Sequence, residues 1–339
     1  MGLQNLNLSP RLTNYLVDKH FFKSKPFITV DIGARGGVDP IWMLYGDQVK
    51  IIGFEPDAEE CQRLNKHAAL NQQFFPYMLY KQKESKTFYF TNLPASSSLL
   101  PMIPEIVQRF PDYENLAVKK EMKIDTIDFD FVARSHNLSY VDFMKLDTES
   151  SEFEILEGAS KTIAKSVIGI NCEALFSPWR QDQKLFCDID IYLRGLGFSL
   201  YDMAVYRMSR KSLPGAPLGY ASPYGQAVWC QALYLRDAFH EISYGKLIKE
   251  EWDEQRILKL VSLFEIHCLP DCAIELLEFA HHLKLISATD KEIKEMRAMI
   301  ISGFNKNRFL SHFNAIKPYL QKMPYYRQWK DKVRKAIRK

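Results

Sequence analysis

The sequence predicts an α/β fold, a doubly wound and mostly parallel sheet followed by an all-α segment. Three observations predict it. Between residues 25 and 240, short apolar β-branched runs alternate with stretches of helical periodicity, as strand–helix–strand units do. The first run, Phe27-Ile28-Thr29-Val30-Asp31-Ile32, leads through an acid into a glycine turn, Gly33-Ala34-Arg35-Gly36-Gly37. A parallel strand delivers backbone to a nucleotide-like ligand in this way. From about Glu250 the strand signals stop, and residues 250–339 read as helices.

Residues 1–24 carry one helix. Ser9-Pro10 supplies a capping hydroxyl and a first-turn proline. Leu12, Tyr15, Leu16 and Phe22 give that helix an apolar face for the core. Residues 25–240 form the sheet domain. Strand 27–32 precedes a short helix near 39–46, then strand 49–54 and a helix over 58–70. Residues 73–79 and 86–91 read as strands, with a serine-rich loop at 94–98. Strand 140–146 ends in Asp147, helix 151–164 follows, and strand 167–172 ends in Glu173. A helix over 183–195 closes on Gly195 and Gly197, and strands 198–203 and 227–235 finish the sheet. No helical pattern separates the last two, so the final strand is expected to run antiparallel. In the helical segment Ile257, Leu260, Val261 and Phe264 form one apolar stripe. Pro270 and Asp290 start two further helices.

Composition narrows the function classes. The 339 residues carry 45 Lys plus Arg against 41 Asp plus Glu, a balance that does not point to nucleic acid. No run of about 18 apolar residues exists to span a membrane, and the polar start lacks a signal core. Six scattered cysteines in so long a chain fit reduced thiols and a cytoplasmic location.

The two strand tips carry the cofactor argument. Glu55 ends the second strand, where a carboxylate accepts hydrogen bonds from a ribose diol. The glycines miss the G-x-G-x-x-G dinucleotide spacing. Asp31 instead suits a sulfonium cofactor that carries a positive charge and an amino group. A tight turn alone explains the glycines but not the acids at both tips.

Lys145-Leu146-Asp147-Thr148-Glu149, followed by a helix closing on Leu156-Glu157-Gly158-Ala159, makes a family resemblance specific. It resembles the central motif of the FkbM family of S-adenosylmethionine-dependent methyltransferases. Asp31 to Gly37 resembles the family's first motif and Gly53-Phe54-Glu55-Pro56 its second. Ser97-Ser98-Leu99 and Thr126-Ile127-Asp128 stand where two shorter motifs belong. The resemblance spans roughly residues 26–203. It implies a class I methyltransferase (Rossmann-like) fold, a seven-stranded sheet with an antiparallel last strand, here with a C-terminal all-α appendage. It also implies S-adenosylmethionine held by Asp31, Gly33, Ala34, Arg35, Gly37, Glu55, Pro56 and Asp147. Family members often methylate hydroxyls of sugars or polyketides. Lys81 follows the third strand where an adenine-reading acid or amide is common, and an ammonium cannot accept a hydrogen bond. Asp125, or a backbone group near it, is the substitute expected for adenine.

Asp147, Glu149 and Glu173 cluster at the carboxyl edge of the sheet, where ligands bind in open α/β folds. They are the candidate catalytic residues, either as general base for an acceptor hydroxyl or as ligands for Mg²⁺. The competing reading of Asp147 and Glu149 is as caps of the following helix. The long connection 204–226 offers Tyr206, Arg207, Arg210, Lys211, Tyr220 and Tyr224 at the same edge, and Trp179 and Arg180 offer another wall. Aromatic and basic groups there suit an anionic glycan or nucleotide-sugar acceptor. His136 reads as a surface-loop residue. The basic tail with Trp329, Val333 and Ile337 suits weak contact with a membrane surface, and the helical segment offers a face to a protein partner. The expected activity is O-methylation. Its rivals are N-methylation and a non-catalytic cofactor-binding module acting through the helices.

Overall fold

The order of seven strands fixes where a ligand can sit. The computed structural model describes residues 6–111, 113–138, 140–215, 224–244 and 252–304. Tyr220 and the basic tail lie outside the described residues. The strands are β1 (Phe27–Ile32), β2 (Val49–Phe54), β3 (Gln72–Phe75), β4 (Met78–Tyr80), β5 (Ser85–Thr91), β6 (Val118–Asp128), β7 (Phe143–Leu146), β8 (Gly169–Leu175), β9 (Phe198–Met208) and β10 (Gln226–Arg236). The helices are α1 (Arg11–Asp18), α2 (Ala58–His67), α3 (Pro104–Val107), α4 (Phe129–Ser135), α5 (Glu152–Gly158), α6 (Ser160–Lys165), α7 (Phe186–Gly195), α8 (Ala238–Tyr244), α9 (Glu254–Ile266), α10 (Pro270–His282) and α11 (Asp290–Gly303).

The main sheet has the order β3-β2-β1-β7-β8-β10-β9. All neighbours are parallel except β10, which runs antiparallel to both β8 and β9. The expected antiparallel last strand is therefore present. The chain leaves β1 toward β2 on one side and returns to β7 on the other, so a crevice opens at the carboxyl ends of β1 and β7. Gly33 stands in it with φ +87°, and a Cβ there would lie 2.0 Å from the Asp147 carbonyl oxygen.

Strands buried on both faces explain the near-continuous apolar runs. Val30, Ile32, Ile52, Met144, Ile170 and Cys172 pack in one core together with residues of α4 to α7. Phe27, Val49, Ile51, Phe143 and Leu233 pack in the other with Leu12, Leu16, Trp42, Tyr45, Ile257, Leu260, Val261 and Phe264. The C-terminal helices, separate by composition, thus share one core with α1 and the sheet. Polar ties fix them. Glu265 of α9 accepts hydrogen bonds from Leu12 N, Thr13 N and Thr13 Oγ1, and so caps the start of α1, where Pro10 offers no side-chain cap. Lys259 of α9 meets Asp142 at 2.8 Å, with both side chains buried, and Asp142 also accepts from Ile28 N.

Several boundaries differ from those expected. Pro76 breaks the run 73–79. β3 stays in the main sheet, whereas β4 joins a second sheet of order β4-β6-β5. β6 had no apolar signal, because its outer positions are Lys119, Glu121, Lys123 and Asp125. The helix 151–164 is two helices. Gly158 ends the first, where a Cβ would meet Tyr80 O at 2.2 Å. β9 and β10 run further than expected, which shortens the connection to residues 209–225.

Breaking a buried ion pair strands a charge, at a cost of about 3–5 kcal/mol. Lys259→Ala should lower unfolding stability by about that amount in urea titration, and Asp142→Asn combined with Lys259→Met should recover much of it.

Candidate active site

A cavity of ≈ 1280 Å³ opens at the carboxyl ends of β1, β2, β7 and β8, beside the amino-terminal half of the antiparallel β10. Phe88, Phe90, Met122 and Ile124 of the second sheet line it as an apolar wall. At its cofactor end Gly33, Arg35, Gly37, Glu55 and Pro56 line the surface. Glu55 is 4% exposed, accepts from Asp57 N at 2.9 Å and faces Arg35 at 3.5 Å. Burial pushes its carboxyl up, against the Asp57 amide and the Arg35 charge. Arg35 is held in turn by Asp57 at 2.7 Å. Glu60 accepts from Gly36 N at 3.0 Å, which ties the glycine turn to the start of α2.

Three of the residues expected at the cofactor sit elsewhere. Ala34 is fully buried against Cys61, Leu64 and Phe74, and its N–H goes to Phe54 O. Asp31 is 2% exposed and does not reach the cavity surface, because Lys145 covers it at 3.3 Å. Asp125 is exposed outside the cavity. Strand side chains alternate, so Lys120, Met122 and Ile124 turn inward and Asp125 turns out.

The acid cluster has a cation at its centre. Lys145 Nζ lies 3.3 Å from Asp31 and 3.6 Å from Asp147. Burial raises the Asp31 carboxyl to about 6, against the pull of Lys145. Burial also works against the charge of Asp147, yet a hydrogen bond from Glu173 and the nearby Lys145 hold it below the usual range. Glu173 stands well above that range through burial and the Asp147 charge. The two carboxyls are thus pushed apart, Asp147 down and Glu173 up.

Glu149 plays a different part. It and Ser150 adopt φ +60° and +88°, a rare pair for residues with side chains. Its carboxyl meets Arg180 at 3.1 Å and is pushed up to about 7 by burial, against the Arg180 charge. Its carbonyl accepts from Ser98 Oγ at 2.6 Å. Arg180 also donates to Ser96 O and Leu100 O, at 2.8 and 3.2 Å. Arg180 lines the cavity, but its donors tie the serine-rich loop to the turn after β7. The helix-cap reading fails for both acids. Neither makes a cap bond to α5, and Thr148 N–H and Oγ1–H instead donate to Glu152 at 2.6 and 3.0 Å. Nor do Asp147, Glu149 and Glu173 form a Mg²⁺ site: among the described residues no three such side chains converge on one point. The Lys145 ammonium and the Arg180 guanidinium occupy the positions facing these carboxylates.

Of the expected acceptor residues, Trp179 and Arg180 line the cavity. Tyr206 does not. It stacks at 5.2 Å behind Trp229, which does. Arg207 donates to Gly225 O, Arg210 lies over the Phe110 ring and bonds Gln226, and Tyr224 is exposed. The longer β9 and β10 carry this group past the rim. His136 is likewise outside, against Phe75 and Tyr77. Asn171, Gln231, Lys145 and the Phe88/Phe90 wall escaped the sequence reading. Period-two alternation in Phe88-Tyr89-Phe90 and Met122-Lys123-Ile124 was their one available signal.

A doubly wound sheet with one antiparallel strand, a carboxylate at the tip of β2 and acids at the tips of β7 and β8 defines a class I methyltransferase. Residues 31–200 match the methyltransferase FkbM domain. The chain therefore belongs to the FkbM methyltransferase family, and its motif resemblance implies S-adenosylmethionine as the methyl donor. Among solved structures, it is similar to magnesium protoporphyrin IX methyltransferase from Synechocystis PCC 6803 with bound SAM. Identity there is 10% and TM-score 0.31, over 68% of this chain and 80% of that one. The N-terminal domain of EvdMO1, in the presence of SAH and D-fucose, is similar at 12% identity and TM-score 0.32, over 67% and 82%. A Burkholderia thailandensis 1,6-didemethyltoxoflavin-N1-methyltransferase is similar at 10% and 0.29, over 68% and 79%. No curated protein matches the sequence. Among the described residues no helix is long and apolar enough to cross a membrane.

The residues at the cofactor end fit this donor. Glu55 offers the buried acceptor that a ribose diol needs, and Gly33 leaves room that any side chain would take. Gly33→Ala should abolish binding of S-adenosylhomocysteine in equilibrium dialysis, since its Cβ would push β1 from β7. Glu152 is pushed up to about 7 by burial, so between pH 4.5 and 7 the folded state holds a proton that unfolding releases. Stability from this group should fall as pH rises through that window. Glu152→Gln should flatten the fall by on the order of 3 kcal/mol, read from denaturation midpoints.

Proposed function

We propose that this methyltransferase acts on a hydroxyl oxygen of a sugar, glycan or related polyhydroxylated natural product. The observation that carries this is that Asp147 and Glu173 line the cavity floor together, with Lys145 3.6 Å from Asp147. A hydroxyl is a poor nucleophile until its proton is taken, whereas a neutral amine needs no such help. The bound cofactor supplies an electrophilic methyl on a positively charged sulfur. Asp147 would take the acceptor's hydroxyl proton as the methyl is transferred. Glu173 holds Asp147 in place, and Lys145 keeps it ionised. In-line placement supplies most of the remaining acceleration.

The balance of charge favours an uncharged acceptor over the anionic one. Seven acids line the cavity (Asp39, Glu55, Asp57, Glu59, Asp147, Glu149 and Glu173) against four bases (Arg35, Lys120, Lys145 and Arg180). The basic groups around 207–211 lie beyond the rim. Phe88, Phe90, Trp179 and Trp229 supply apolar faces for the C–H side of a ring.

With methyl-tritiated S-adenosylmethionine and a panel of polyols and amines, label should enter a polyol. Asp147→Asn should lower kcat about 10²–10⁴-fold with little change in cofactor affinity. Turnover on amines alone, insensitive to Asp147, would contradict the proposal.

A further inference from the structure

Two side chains on the cavity floor each carry a buried oxygen with no partner in the fold. Asn171 of β8 and Gln231 of β10 both line the cavity. The Asn171 Oδ1 and Gln231 Oε1 atoms are buried and have no hydrogen-bond partner among the described residues. Gln231 is 2% exposed. A buried amide left without a partner is costly, and folded proteins seldom keep one unless a ligand or water completes it.

The sheet register places both beside the reacting carboxyls. Asp31 pairs with Lys145, and Lys145 pairs with Asn171, so these three form one row across β1, β7 and β8. Glu173 is two residues along β8 from Asn171, on the same face, and pairs directly with Gln231. The result is a two-row polar floor: a charged end of Asp31 and Lys145, then two amides flanking Glu173. On this same face the apolar Phe143, two residues before Lys145 on β7, and Leu233, which pairs with Asn171, belong to the core. The switch from apolar to amide on one face thus falls at the cavity.

We propose that Asn171 and Gln231 bind the acceptor, holding two of its hydroxyl groups beside Glu173. A primary amide both donates and accepts, which matches a hydroxyl and not a carboxylate or an ammonium. Two amides at diagonal positions across β8 and β10, each next to Glu173, suit neighbouring hydroxyls on one ring. This assignment rests on the hydroxyl-transfer reading above and adds the residues that select the acceptor.

The test uses the full chain saturated with S-adenosylhomocysteine, with D-glucose, D-galactose, L-rhamnose and D-fucose as probes in saturation-transfer NMR. The variants are Asn171→Leu and Gln231→Met, which keep approximate shape and remove the amide. Wild type should bind at least one sugar, and each variant should lose at least tenfold in sugar affinity. S-adenosylhomocysteine affinity should stay within twofold. The Tm of the ligand-free protein should hold or rise, because each variant removes a buried amide without a partner. A lower Tm in either variant would show that its amide already serves the fold and would overturn the assignment. Unchanged sugar affinity in both would do the same while leaving hydroxyl transfer intact. A wild type that binds S-adenosylhomocysteine but none of the sugars would remove the hydroxyl-acceptor reading itself, and this assignment with it.

Discussion

The ammonium of Lys145 sets the electrostatics of the whole carboxyl edge. It stands between Asp31 and Asp147, and Asp147 in turn holds Glu173. Without that cation three carboxyls would crowd a half-buried floor, and like charges at such distances repel by several kcal/mol at a protein-like dielectric. With it, Asp147 is held below the usual carboxylate range, while burial and the Asp147 charge push Glu173 above it. Asp31 is buried behind Lys145 and serves to hold it. That role differs from direct contact with a sulfonium, and it explains why burial lifts Asp31 to about 6 without removing its partner.

The same floor depends on close backbone approach. Gly33 lets β1 and β7 come together beneath the cofactor end, since a Cβ would strike the Asp147 carbonyl. Glu149 and Ser150 turn the chain out of β7 in a left-handed conformation, and Arg180 and Ser98 fasten that turn to the serine-rich loop. Strain of this kind persists only where the surroundings over-determine it. Behind the floor, the C-terminal helices pack with α1 on the sheet face that bears Phe27 and Phe143. The site is therefore supported by helices distant from it in sequence.

The strands of the main sheet were legible because burial on both faces writes apolar runs into the sequence. The glycine turn and Glu55 were legible because few residue types meet those backbone and hydrogen-bond demands. What escaped had no local signature. β6 carries charges on its outer positions, and that alternation hid the inner Met122 and Ile124. Asp125 looked suitable by chemistry but falls one residue out of phase with the cavity. Tyr206, Arg207, Arg210 and Tyr224 were drawn in by an underestimate of strand length: a few added residues in β9 and β10 carry a loop past the rim. Arg180 has the chemistry of an anion binder and spends its donors on carbonyls and Glu149. Asn171 and Gln231 sit in strands whose pairing no single sequence reveals.

The central claim is that the carboxylate at the tip of β2 and the glycine turn of β1 hold an adenosine-bearing methyl donor. Isothermal titration calorimetry with S-adenosylhomocysteine tests it most directly, comparing the wild-type chain with Glu55→Ala. The account predicts saturable one-to-one binding by wild type, weakened at least tenfold by Glu55→Ala, and no heat with NAD. Equal affinity in both proteins, or tighter binding of NAD, would contradict it.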